Sequence, residues 1–94
     1  MGKAENKIES YLRKQSLIHN FDCYKFISPG NNGVPDRIVI GNGKTVFVET
    51  KSETGSLREL QQEVTNDMRS KGAIVYTAHT KEEVDNIIND LLKK

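Results

Sequence analysis

The chain has 94 residues, 35% of them hydrophobic and 29% charged, a balance that suits one small core and excludes a disordered tail. Aromatics at 6% offer no extended base-stacking surface, and a formal net charge of +1 neither demands nor forbids nucleic acid, for which a local patch counts more than the sum. Cys23, the only cysteine, excludes an intrachain disulfide and a four-cysteine zinc site, and no apolar run reaches the ~18 residues of a membrane span or the core of a secretory leader. The expectation is a single domain over residues 1–94 in a reducing, cytoplasmic compartment.

Ala4, Ile8, Tyr11 and Leu12 recur at helical spacing and predict a first helix over residues 4–14. Past a loop at His19 and Asn20, CYKFIS reads as a strand closed by the turn-forming PGNNGVP. DRIVI and KTVFVETK flank Asn42-Gly43, a hairpin signal because a type I′ turn needs positive φ at both central residues. Ser56 to Glu59 fits a capping box for a second helix over residues 57–71, with Leu57, Leu60, Val64 and Met68 on its stripe and Gly72 at its end. AIVYTA is a short strand, and Thr80 to Glu83 opens a last helix carrying Val84, Ile87, Ile88, Leu91 and Leu92 inward. The order is αβββαβα.

A two-residue loop at Asn42-Gly43 sets Asp36 opposite Glu49 and Ile38 opposite Phe47, all on one side of the ribbon. Directly opposed side chains have Cβ atoms ~4.5–5.5 Å apart, so two carboxylates there need a cation or a shared proton. Lys51, two residues beyond Glu49, points the same way and is one candidate neutraliser. Val46, Phe47 and Val48 give the third strand apolar side chains on both faces, as in a central covered strand, so its polar end is an anomaly. Carboxylates at the end of a buried strand are a rigid place to hold a hard cation. Mg²⁺ needs only one or two of them beside water and substrate phosphate. The backbone carbonyl of Thr50 is a further candidate oxygen, and Lys51 would steady negative charge developing on an attacked phosphodiester. The competing reading is a partly exposed ion-pair cluster of little consequence. Gln61 borders the helical stripe, and position alone leaves it open between the site and a boundary glutamine satisfying the backbone.

Gly33-Val34-Pro35-Asp36 followed by Glu49-Thr50-Lys51 resembles the PD…ExK signature of restriction-endonuclease-like nucleases. Joined to G-x-L-x-x-x-Q at Gly55, Leu57 and Gln61, it is similar to the VRR-NUC family of virus-type replication-repair nucleases. The resemblance implies a restriction-endonuclease-like α/β core, with a mixed central sheet flanked by helices. It implies a Mg²⁺- or Mn²⁺-dependent DNA phosphodiesterase with Asp36 and Glu49 as metal ligands, Lys51 as catalytic lysine, Gln61 in the site and a glutamate from the first helix. Glu5, three residues before Ile8, fits that pattern, and Glu9, which helical angles turn further toward solvent, is the reserve.

Stand-alone members of the family resemble Holliday junction resolvases and form homodimers, which suits a four-way junction. Flap or nicked-duplex cleavage is the second reading, and a non-catalytic DNA-binding module on the same fold is the third. The family also points to a bacterial cell or a phage-infected host. Lys25, Arg37, Lys44 and Arg58 are the candidates for a DNA-facing patch, the alternative being solvated surface. His19 and His79 are isolated and lack ligand spacing, while Tyr11, Tyr24, Tyr76 and Cys23 read as packing residues.

Overall fold

Asn42 and Gly43 take positive φ of 52° and 78° in the computed structural model, the turn that their sequence predicts. The structure describes residues 6–51 and 59–94; Glu5, Gly55, Leu57, Arg58 and the Ser56 end of the first capping box lie outside these. The turn joins β2 (Arg37–Gly41) to β3 (Lys44–Thr50), pairing Arg37 with Val48, Ile38 with Phe47 and Gly41 with Lys44. One step beyond the Arg37–Val48 pair, that register sets Asp36 across from Glu49.

β1 (Asp22–Lys25) adds antiparallel to β2, and β4 (Val75–Ala78) adds parallel to β3. The sheet order is β1-β2-β3-β4, mixed as expected, with α2 (Glu59–Ser70) forming the crossover between β3 and β4. α1 (Lys7–Ile18) precedes the sheet and α3 (Lys81–Leu92) follows it. The element order is the expected αβββαβα, with α1 running further toward His19 than the apolar spacing indicated.

Covering is uneven. Val39, Val46, Val48 and Ala78 meet Ile8, Leu12, Val84, Ile87, Ile88 and Leu91, so α1 and α3 together close the core on one face. The other face carries Ile38, Phe47 and Glu49, with α2 placed against its Glu49 end through Gln61. α2 buries Thr65 fully and Val64 and Met68 in part, while Leu60 stays 47% exposed, so its inward stripe is turned from the leucine row that the sequence marks.

Helix ends carry the expected chemistry. Asn6 caps α1 by accepting the Glu9 N–H at 2.7 Å, and Thr80 caps α3 by accepting that of Glu83 at 3.0 Å. Glu83 reaches back to the His79 N–H at 2.7 Å, one residue before the cap. Gly72, at φ 99°, ends α2 with its own N–H on the Arg69 carbonyl and that of Ala73 on the Met68 carbonyl. No helix among the described residues is long and apolar enough to cross a membrane.

Candidate active site

Asp36 stands at the entry to β2, fixed by its backbone before its side chain is considered. The buried Pro35 presets the preceding φ, and the Asp36 carbonyl accepts the Phe26 N–H at 2.7 Å from the segment that follows β1. Its carboxylate Oδ2 then accepts two hydrogen bonds from Thr50, from the backbone N–H at 3.1 Å and from the hydroxyl at 2.9 Å. The Thr50 hydroxyl in turn accepts the Asn6 side-chain N–H at 3.3 Å. A chain of three side chains thus links the N-terminus of α1 to Asp36.

Glu49 is 2% exposed, on the strand that the packing holds most firmly. Its Oε2 receives Lys51 Nζ at 3.3 Å and Gln61 Nε2 at 3.0 Å. Its Oε1 is buried with no hydrogen-bond partner among the described residues. An orphaned carboxylate oxygen in the interior is costly unless something else satisfies it. Burial, then the neighbouring Asp36 charge, push the Glu49 carboxyl up to about 7 against the opposing pull of Lys51. The pair carries too much negative charge for its surroundings. A proton or a cation resolves it.

Thr50 is 2% exposed, and its hydroxyl and N–H hold the Asp36 carboxylate. Neither its hydroxyl nor Asn6 carries a sequence signal for this role, since both depend on α1 crossing the end of β3. Gln61 touches Glu49 from α2, as the family pattern implied. Hard oxygen donors, with one of them unsatisfied and buried, fit a divalent cation held by Asp36 and Glu49. Among the described residues no cluster of three His, Cys, Asp or Glu side chains is assembled, and Glu5 lies outside them.

Glu9 does not turn toward solvent. It is 5% exposed and pairs with Arg37 Nε at 2.8 Å and Lys25 Nζ at 3.4 Å. Arg37 is accordingly 9% exposed, on the core side of β2 with Val39, and cannot serve as a surface contact as it stands. Lys44 donates to the Leu91 carbonyl at 3.1 Å and to that of Lys93, closing the C-terminus of α3. Of the four basic residues selected from sequence, only Lys25 presents an exposed side chain among the described residues, and Arg58 lies outside them.

No family model matches the sequence. A protein of Acyrthosiphon pisum secondary endosymbiont phage 1, named "Putative nuclease p44", is 47% identical over 49 residues, which is 51% of this chain and 53% of that protein. The match thus spans about half the length of the relative. A solved structure described as a VRR_NUC domain superposes with a TM-score of 0.80 at 25% identity, covering 88% of this chain and 91% of that one. In fold and in its PD…ExK and glutamine residues, the chain is similar to the VRR-NUC family of restriction-endonuclease-like nucleases.

Proposed function

We propose that the protein is a metal-dependent DNA endonuclease whose centre is Asp36, Glu49, Lys51 and Gln61, with Glu5 as an additional acid and the Thr50 carbonyl as an additional ligand. The observation that carries this reading is the buried Glu49 carboxylate, one oxygen held by Lys51 and Gln61 and the other without a partner among the described residues. Mg²⁺, or Mn²⁺ in its place, would supply Lewis-acid polarisation of a phosphodiester and a more acidic water. The protein's part is positional. Gln61 and Lys51 hold Oε2, while Oε1 stays buried without a partner among the described residues, and Thr50 holds Asp36. Lys51, 23% exposed at its side chain, can also donate to an oxygen on which negative charge builds.

Four-way junctions cut by a homodimer are the finer reading, with flaps and nicked duplex second. A second copy is supported by the sheet face on the α2 side, where Tyr24 is 56% and Ile40 37% exposed beyond the reach of that helix. The reading also takes residues 1–94 as a single nuclease domain working in bacterial or phage-infected cytoplasm. Incubation with four-way junction, flap and linear duplex, in Mg²⁺, Mn²⁺ or EDTA and beside Glu49→Ala, tests it, with sedimentation for the dimer. Metal-dependent junction cleavage lost in the variant is expected. DNA binding with no cleavage in any metal would favour the non-catalytic module instead.

A further inference from the structure

With Arg37 and Lys44 engaged inside the fold, Lys25 is the one exposed side chain of that set among the described residues, and other basic side chains come into question. A groove of about 280 Å³ lies between α1 and the start of α3, lined by Lys7, Ser10, Tyr11, Lys14 and Lys81. It adjoins a second groove that shares Ser10 and Lys14 and adds Arg13. Lys7, Lys14 and Lys81 are all exposed. We infer that this α1–α3 groove is a binding track for the DNA phosphate backbone leading away from the active centre, an inference that rests on the nuclease reading.

Two observations beyond charge support it. The first is place: Lys7 follows Asn6, which bonds Thr50 beside Asp36, and Lys81 lies three residues past Ala78, whose carbonyl accepts the Lys51 N–H at 2.9 Å. The groove therefore starts at the end of the sheet where the acids sit, on the face that α1 and α3 cover. The second is local conflict. Lys7 and Lys81 are the first residues of α1 and α3, where a cation opposes the helix dipole, so neither is placed there for helix stability.

The acids of the region are largely engaged. Among the described residues, Asp85 accepts the Tyr11 hydroxyl at 2.7 Å and Glu83 the His79 N–H at 2.7 Å, while Glu82 is exposed. Lys81 rests 5.4 Å from the centre of the Tyr11 ring, which holds its ammonium at the rim of the groove. Lys7 and Lys14 are two helical turns apart, roughly 10 Å at ~1.5 Å per residue. One DNA strand presents about three phosphates over that rise, at ~3.4 Å each.

The test is fluorescence anisotropy with labelled four-way junction and duplex DNA in EDTA, over a salt series, for the wild type, Lys7→Gln/Lys14→Gln/Lys81→Gln and Glu82→Gln. The triple variant should bind at least tenfold more weakly at low salt, and its duplex salt slope should flatten by about 0.9 per lysine removed. Its melting temperature should hold or rise, and Glu82→Gln should bind more tightly. A triple variant that binds like a wild type which itself binds DNA overturns the groove alone; a wild type that binds neither DNA overturns the groove together with the nuclease reading.

Discussion

Thr50 shows how a residue between two candidate site side chains can hold a third. Its hydroxyl and N–H fix Asp36 Oδ2, and Asn6 fixes the hydroxyl. Groups that orient a metal ligand usually matter ~10–100-fold to affinity or activity. Thr50→Val, which keeps the shape and removes the hydroxyl, should weaken Mn²⁺ binding about tenfold by titration calorimetry, and Thr50→Ser should restore it. Equal affinities across the three proteins would leave the hydroxyl a packing detail. Asn6→Asp keeps the helix cap and loses the donor, so it should spare the melting temperature more than the affinity.

The Glu49 carboxyl gives a pH signature. Its pKa is raised from 4.5 to about 7, so the folded protein holds that proton more tightly than the unfolded chain does. The stabilising contribution is complete below 4.5 and is lost as pH rises through about 7. Glu49→Gln, a neutral mimic of the protonated form, should therefore make the metal-free protein more stable at pH 8, by about 3 kcal/mol at 1.36 kcal/mol per pH unit. The gain should vanish near pH 4.5. Denaturant titrations at the two pH values measure it, and an equal gain at both would mean that burial, not charge, sets the difference.

At the scale of elements, α1 is tied to β2 by the Glu9–Arg37 pair, with Lys25 contributing from the surface end of β1. Removing one partner of a buried pair strands the other, so Glu9→Ala should cost about 3–5 kcal/mol in unfolding free energy. Glu9→Leu with Arg37→Met should recover most of that loss, because no charge is left stranded. A double change as damaging as the single one would show that the pair does more than cancel itself.

α2 is positioned differently, by close approach. Gly33 has φ 90°, and a Cβ there would lie 3.1 Å from the Leu60 carbonyl oxygen and from Val64 Cγ2. Gly33→Ala should therefore displace the helix that carries Gln61, destabilising the fold by about 1 kcal/mol or more. Metal affinity should fall with it, by titration with Mn²⁺. Retention of full affinity would uncouple the docking of α2 from the site.

Much of this was readable in the chain. Asn42-Gly43 fixes the register, and register brings Asp36 to Glu49; periodicity places the helices, and the Thr80 cap opens the last of them. An apolar stripe through Tyr11 turns Glu9 outward, whereas the buried row of α1 is Ile8, Glu9, Leu12 and Ser16. An acid enters such a row only with a cation opposite, a partner that lies 28 positions away and is not legible locally. Arg37 could have been found: alternation along β2 puts it on the face of Val39, which is the core face.

Over the whole molecule, the two carboxylates are the point on which separate elements converge. Asp36 precedes β2, Glu49 lies one residue before the end of β3, Asn6 caps α1 and Gln61 belongs to α2. A cation bound there would hold all four together, so its binding free energy adds to the stability of the folded chain. At a Mn²⁺ concentration of ~100 times Kd the gain is about 2.7 kcal/mol. In a protein of this size that corresponds to roughly 10–20 °C in melting temperature. The shift should reverse with EDTA and shrink below pH 7, where Glu49 keeps its proton. Wild type and Glu49→Gln should then exchange rank at pH 8: the variant melts higher without metal and lower with it. If the metal shift survives in Glu49→Gln, the cation binds elsewhere and the buried carboxylate has another purpose.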